Sequence, residues 1–134
     1  MNLSATMTKA SEILTVDDDP DHGMILTDLL EHEGYQVEIV QTGTEALHRV
    51  KSHHFDAVIL DVELPDLDGI IVLQSIVECD EKVPVILLTA FDSLERTVGP
   101  LDLQEAFACL TKPYNREELK ATIRRAISVK SLAN

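Results

Sequence analysis

Four aspartates crowd the stretch DDDPD at positions 17–21, directly after the apolar run ILTV. Polar residues also end other apolar runs of the chain, namely Asp61 (followed by Glu63), Thr89 and Lys112. Three carboxylates within about 5 Å would repel by roughly 3 kcal/mol per pair at an effective dielectric constant near 20. A divalent cation removes that cost, and carboxylate oxygens favour Mg²⁺, with Mn²⁺ as an alternative. Asp17, Asp18 and Asp61 are therefore the candidate metal ligands.

The same set of residues suits phosphoryl transfer. A lysine and a hydroxyl beside a metal ion provide what the oxygens of a phosphoryl group need around them, and Lys112 and Thr89 have these side chains. Asp61 is the centrally placed nucleophile, and carboxylates form aspartyl-phosphate intermediates. These residue types indicate transfer of a phosphoryl group onto Asp61, assisted by Mg²⁺.

Five short apolar runs alternate with helical patterns and would place these residues at one edge of a sheet. The predicted strands cover 13–16, 35–40, 55–61, 83–90 and 106–111. Helices are predicted from Pro20 to a C′ residue at Gly34, over 44–52, 68–79 and 92–104, and after the Asn115–Glu118 capping box, with Gly99-Pro100 interrupting the fourth. Such alternation predicts a doubly wound α/β fold whose parallel sheet is covered on both faces. Ligands bind these sheets at the carboxyl ends of the strands.

Composition narrows the class of protein. The 134 residues suit one domain, and the net charge of −13 argues against direct binding to nucleic acid or an anionic membrane. No apolar run is long enough to span a bilayer. Cys79 and Cys109 are expected in the core as reduced thiols, which favours a cytoplasmic protein. We expect a flexible leader at 1–11, one domain at 12–130 and a tail at 131–134.

The chain resembles the receiver domains of two-component response regulators, including the chemotaxis and NtrC types. The stretches that carry the resemblance are ILTVDDDP, FDAVILDVELPDLDG, VILLTA and LTKPY, in that order. It implies a flavodoxin-like (βα)5 fold with strand order 2-1-3-4-5. It also implies a phosphoacceptor domain that is not an enzyme on outside substrates. Its partners would be a sensor histidine kinase or histidine phosphotransfer protein and a downstream output domain or protein, with dimerisation on phosphorylation as one outcome.

The resemblance assigns roles at the metal site. Asp61 would be the phosphoacceptor, Asp18 a direct Mg²⁺ ligand and Asp17 its outer-sphere companion. The backbone carbonyl of Glu63 would be a further ligand.

The resemblance also implies a conformational switch. Lys112 would pair with Asp61 and then with the phosphoryl group, and its bond to Pro113 would be cis. Thr89 would be the switch hydroxyl. The family usually has Tyr or Phe three residues before the lysine, where this chain has Cys109. Phe107 lies two residues earlier, and its parity predicts the same face of the strand as Cys109.

The remaining polar residues are expected to have structural roles. Asp19 and Asp21 should start the first helix, while Asp66 and Asp68 should be loop and N-cap residues. The histidines are expected at the surface without a metal role: His22, His32, His48, His53 and His54.

Three other classes compete with this interpretation. A haloacid-dehalogenase-like aspartyl phosphotransferase also has an acid two residues after its nucleophile, as Glu63 follows Asp61, but Leu64 does not suit that family. An EF-hand aligned on Gly69 would put Leu64 and Ser75 at ligand positions, which neither can fill. A flavodoxin-like nucleotide site needs backbone donors for phosphate, where DDDPD presents negative charge.

Overall fold

The computed structural model describes residues 10–90 and 105–133. In chain order its elements are β1 (Glu12–Val16), α1 (Pro20–Glu31), β2 (Gln36–Val40), α2 (Gly43–Ser52), β3 (Ala57–Asp61), α3 (Gly69–Cys79), β4 (Val85–Ala90), β5 (Ala108–Lys112) and α4 (Arg116–Ala133). The helix predicted over 92–104, with its Gly99-Pro100 interruption, lies outside the described residues. Within the described part of the chain, no helix is long and apolar enough to cross a membrane.

All neighbouring strands of the five-stranded sheet are parallel, in the order β2-β1-β3-β4-β5. This confirms the predicted doubly wound fold and the edge position of the second strand. The chain leaves the central pair β1 and β3 in opposite directions across the sheet, which makes their carboxyl ends the topological switch point. Val16 pairs in register with Leu60, so Asp17 and Asp61 emerge side by side at that point.

Both faces of the sheet are buried. One core forms against α2 and α3 and contains Val58 and Leu60, whereas the other forms against α1 and α4 and contains Ala57 and Ile59. Successive residues of β3 thus point into opposite cores, which is why this strand is a continuous apolar run.

Acidic and amide side chains begin three of the helices, as predicted. Asp19 is the N-cap of α1 and accepts hydrogen bonds from the amides of Asp21 and His22. Asp68 caps α3 by accepting from an amide at 2.8 Å, and Asn115 accepts from the third residue after it at 3.0 Å, before α4. These side chains satisfy amide groups that have no partner within their helices.

The end of α1 differs from the prediction. The C-cap is His32, so Gly34 is the second residue beyond the cap rather than the first. Gly34 has a φ of +93°, a left-handed conformation that glycine adopts without strain. The turn closes with a hydrogen bond of 3.2 Å from the Tyr35 amide to the Leu30 carbonyl. Gly34 thus shapes the turn into β2 after the helix has ended.

The two cysteines do not share one environment. Cys109 is half-buried and packs against the core of α2 and α3. Cys79 is exposed, which makes its predicted core position wrong. It is the last residue of α3, where the buried face of the helix gives way to the cap at Asp80.

Candidate functional site

Three carboxylates meet at the switch point. Asp17, Asp18 and Asp61 each offer an oxygen, and these oxygens lie within 4.8 Å of one another. Asp17 and Asp61 are buried, with 2% and 4% of their surface exposed, while Asp18 is exposed to solvent. The three residues offer only oxygen atoms as metal ligands, and the group is open to water on the side of Asp18. Both features fit the coordination that Mg²⁺ prefers. It is the only such group of acids, histidines and cysteines in the described part of the chain.

Asp61 is held at both carboxylate oxygens. Lys112 Nζ donates to Oδ2 at 2.6 Å, and the Glu63 amide donates to Oδ1 at 2.9 Å. Burial raises the pKa of Asp61, and the nearby charge of Asp17 adds to this, whereas the hydrogen bonds from Lys112 and the Glu63 amide act in the opposite direction. The carboxylate is therefore oriented by two donors in surroundings that disfavour its charge.

Both carboxylate oxygens of Asp17 also have hydrogen-bond partners. Its Oδ1 accepts from the Asp19 amide at 2.9 Å, and its Oδ2 is hydrogen-bonded to His22 Nδ1. The other ring nitrogen, Nε2, lies 2.6 Å from the hydroxyl of Tyr114. The predicted surface position of His22 is wrong, since only 19% of its side chain is exposed. The first turn of α1 places this ring over the end of β1.

Sequence reasoning missed the roles of His22 and Tyr114. The two residues are 92 positions apart, and no periodic pattern connects them. The stretch LTKPY includes Tyr114, but nothing in that stretch indicates a histidine partner. The other histidines lie apart from the three carboxylates: His32 and His48 are exposed, His53 pairs with Glu12, and His54 pairs with Lys130.

The carboxyl ends of β4 and β5 contribute Thr89 and Lys112 to the same side of the sheet as the three carboxylates. Lys112 is the last residue of β5, and its bond to Pro113 is cis, as predicted. Thr89 is fully buried, and its hydroxyl donates to the Ala90 carbonyl at 3.1 Å. Register pairs Ala90 with Lys112, which places Thr89 one residue before the lysine's level on the neighbouring strand. The Thr89 hydroxyl thus bonds to its own strand, while Lys112 reaches Asp61.

The prediction that Phe107 lies on the same face of the strand as Cys109 is wrong. Cys109 packs against the core of α2 and α3, but Phe107 packs against the core of α1 and α4. The parity argument fails because β5 begins at Ala108, so Phe107 lies in the bend before the strand. Phe107 therefore does not occupy the face that Cys109 occupies.

The loop between β3 and α3 is fastened to a neighbouring helix. Asp66 accepts from the Gly43 amide at 2.9 Å, the Thr44 amide at 3.0 Å and the Thr44 hydroxyl at 2.6 Å. These hydrogen bonds, that of the Thr44 hydroxyl foremost, lower the pKa of Asp66 to about 2. Asp66 is a loop residue, as predicted, but the sequence did not indicate that it bonds to the first turn of α2.

Gly69, the first residue of α3, packs closely against Val62 at the beginning of this loop. A Cβ atom at Gly69 would lie 2.6 Å from Val62 Cα and closer still to the Val62 carbonyl oxygen. Only glycine permits this approach of the start of α3 to the residue after Asp61. An isolated antiparallel bridge between Glu63 and Asp68 closes the same loop.

The sheet order defines the class as a flavodoxin-like α/β protein, and its switch point holds three carboxylates. Comparison with known families makes this more specific. Residues 13–124 match the response regulator receiver domain, and the chain belongs to this family of two-component signalling domains.

Individual relatives agree with this assignment. The chain is 38% identical over 117 residues to the transcriptional regulatory protein ZraR of Escherichia coli K12, covering 87% of this chain and 26% of ZraR. It thus spans about a quarter of the length of that relative.

Two solved structures show the same fold. A CheY-like receiver domain protein from Methanospirillum hungatei superposes with a TM-score of 0.86 at 30% identity, covering 94% of this chain and all of the other. The response regulator TrrA from Thermotoga maritima, solved in complex with Mg²⁺-BeF, superposes with a TM-score of 0.79 at 33% identity. The match covers 87% of this chain and 98% of TrrA. The predicted receiver function is confirmed, and the haloacid-dehalogenase alternative is not favoured.

Proposed function

We propose that this receiver domain accepts a phosphoryl group on Asp61 from a phosphohistidine of a sensor histidine kinase or histidine phosphotransfer protein. One observation carries the proposal: the buried Asp61 carboxylate lies 2.6 Å from Lys112 Nζ and within the same 4.8 Å group as Asp17 and Asp18. A nucleophile, the lysine cation and two further acids thus lie together at the carboxyl ends of the strands.

In the transfer step an oxygen of Asp61 bonds to phosphorus as the bond from phosphorus to the donor histidine breaks. Lys112, already paired with Asp61, is placed to donate to the incoming phosphoryl oxygens. The Glu63 amide orients the carboxylate by holding Oδ1. These contacts position the nucleophile and stabilise charge, which are the main protein contributions to phosphoryl transfer.

Asp18, Asp61 and the backbone carbonyl of Glu63 would hold Mg²⁺, with Asp17 bonded to its water. When bound, the ion offsets the charge shared by the carboxylates and the phosphoryl oxygens. The Mg²⁺-BeF complex of TrrA, a relative at 33% identity, supports this ion, and Mn²⁺ has the same oxygen preference. Self-phosphorylation from small donors and autodephosphorylation belong to the same proposal.

A phosphoryl group on Asp61 would carry roughly 1.5–2 negative charges, and we propose that Thr89 and Lys112 respond to them. Thr89 would exchange its bond to the Ala90 carbonyl for one to a phosphoryl oxygen. Cys109, in place of an aromatic residue, would move with this change in the core of α2 and α3. The altered surface, or a dimer formed through it, would control an output domain or partner protein.

The domain is proposed to occupy residues 12–130 in the cytoplasm and to leave any contact with nucleic acid to other domains. Its net charge of −13 supports the second part, because binding to phosphate backbones needs a basic surface.

Intact-mass measurement tests the proposal. After incubation with acetyl phosphate and Mg²⁺, the wild type should gain the mass of one phosphoryl group, and Asp61→Asn should not. Asp56→Asn is the matched control, because Asp56 precedes β3 at the opposite edge of the sheet, where it accepts from the Glu12 amide at 2.8 Å. Equal phosphorylation of the wild type and Asp61→Asn would refute the assignment, as would full phosphorylation of the wild type in EDTA.

A further inference from the structure

Asp17 belongs to a hydrogen-bonded path that leaves the metal site. Its Oδ2 meets His22 Nδ1, and His22 Nε2 lies 2.6 Å from the Tyr114 hydroxyl. The path crosses from the end of β1, over the first turn of α1, to the segment that follows Lys112-Pro113. It therefore joins two strand ends that both contribute to the site.

The chemistry of the groups sets the direction of the path. An ionised carboxylate only accepts hydrogen bonds, so the proton between His22 and Asp17 is carried by Nδ1. With the ring neutral, Nε2 has a lone pair, and the Tyr114 hydroxyl must then donate to it. The Asp17 carboxylate thus requires the Nδ1-protonated tautomer of His22, and the Tyr114 hydroxyl favours it further by donating to Nε2.

The path is held in place by packing. Asp17 is 2% exposed, His22 is 19% exposed, and Tyr114 packs against the core of α1 and α4. The rings of His22 and Tyr114 are 5.7 Å apart between centroids at a tilt of 55°. Burial raises the pKa of the Tyr114 hydroxyl, and the charge of Asp17 adds to this, so the hydroxyl keeps its proton for donation.

We propose that His22 and Tyr114 are positioning residues of the metal site: the path Tyr114–His22–Asp17 fixes the Asp17 carboxylate in the orientation that serves the cation. The inference rests on the proposed Mg²⁺ site. The Asp19 amide holds Oδ1, and His22 holds Oδ2, so the carboxylate cannot turn about its own axis. Partners behind a metal-binding group commonly change metal affinity by 10- to 100-fold when removed.

Substitutions can separate the hydrogen bonds from the packing. His22→Leu removes the donor to Asp17 and puts an apolar side chain of similar bulk in its place. His22→Asn restores a donor near the position of Nδ1. Tyr114→Phe removes one hydroxyl and keeps the ring against its core. His22→Leu and His22→Asn both remove the imidazole ring, but only His22→Asn keeps a donor to Asp17, so a role of the ring in packing alone predicts that both variants lose Mg²⁺ affinity.

Calorimetric titration with MgCl₂ in the absence of a phosphoryl donor provides the first readout. We expect about tenfold weaker Mg²⁺ binding in His22→Leu, a smaller loss in Tyr114→Phe and near wild-type affinity in His22→Asn. Wild-type affinity in all three variants would overturn the inference and leave the Mg²⁺ site intact. No Mg²⁺ binding by the wild type would instead refute the proposed metal site.

Nitrogen-15 NMR of the histidine ring provides the second readout. At a pH where His22 is neutral, the wild type should show a protonated Nδ1 and an unprotonated Nε2. Tyr114→Phe should raise the population of the other tautomer. A wild-type ring protonated only at Nε2, or a tautomer ratio unchanged by Tyr114→Phe, would overturn the path even if the protein binds Mg²⁺.

Discussion

Lys112 Nζ lies 2.6 Å from Asp61 Oδ2, yet the pKa of Asp61 is still raised. Burial outweighs the ion pair in setting this pKa, and the Asp61 side chain is 6% exposed whereas that of Lys112 is 34% exposed. The pair therefore orients the acid without offsetting the whole cost of its burial. An uncompensated charge of this kind favours the arrival of a cation.

Asp61→Asn should raise the thermal stability of the protein at neutral pH without Mg²⁺. A raised pKa means that the stability contributed by Asp61 is fully present below its unfolded value, near 4, and is lost as the pH rises through the folded value. The asparagine amide does not ionise, so this loss does not occur in the variant. Thermal unfolding followed by circular dichroism should show a higher Tm for Asp61→Asn at pH 7.5 and a smaller difference near pH 4. A lower Tm for Asp61→Asn at pH 7.5 would show that Lys112 compensates the buried charge after all.

Two neighbouring acids should respond differently to truncation. Asp18→Ala should abolish Mg²⁺ binding and phosphorylation, because Asp18 belongs to the group of three carboxylates. Asp21→Ala should keep both and cost only a few tenths of a kcal/mol, roughly the value of an acid in the first turn of a helix. Mg²⁺ calorimetry and thermal unfolding of both variants provide the comparison. Mg²⁺ binding by Asp18→Ala at wild-type strength would remove Asp18 from the metal site.

Gly69→Ala should destabilise the protein and weaken the metal site together. The new Cβ would lie 2.6 Å from Val62 Cα, and the backbone shift that relieves the contact costs about 1–3 kcal/mol. Glu63 follows Val62 directly, so its carbonyl should move as well. Denaturant unfolding and Mg²⁺ titration measure the two effects.

Gly23→Ala is the matched control for this substitution. Its Cβ would make ordinary contacts of 3.5 Å with Ile39, and alanine favours the helix by roughly 0.5–1 kcal/mol. Equal stability changes in the two variants would contradict the importance of the contact between Gly69 and Val62.

Asp66→Ala should lower the Tm at neutral pH, because three donors of α2 lose their acceptor. The pKa of Asp66 is lowered to about 2, so its stabilisation is present above the unfolded value near 4 and is lost as the pH falls through about 2. The difference in Tm between wild type and variant should therefore shrink with acidification. Asp28→Ala is the control, since the Asp28 side chain is 82% exposed. A Tm difference that does not depend on pH would exclude the charge of Asp66 as its source.

The sequence was sufficient to predict those parts of the site that follow from strand ends. Parallel strands bring the residues at their carboxyl ends together, so the sequence alone places Asp17, Asp61 and Lys112 near one another. The cap at Asp19 also followed from local sequence, because capping acts over two or three residues.

Contacts between distant segments could not be predicted in this way. Tyr114 meets His22 because of how α1 and the segment after β5 pack, and Asp66 reaches α2 because of how the loop folds back. The predicted face of Phe107 was wrong because parity holds only within a strand, and β5 begins at Ala108, one residue after Phe107. The sequence indicates which residues end strands, but not where loops meet other elements.

The loop from Val62 to Asp68 has a consequence for the energetics of cation binding. Asp66 fastens its middle, and the contact of Gly69 with Val62 fixes its ends. The conformational entropy of this segment is therefore lost during folding and not when an ion arrives. Such a preorganised loop would present the proposed Glu63 carbonyl ligand to a cation without further ordering of the chain.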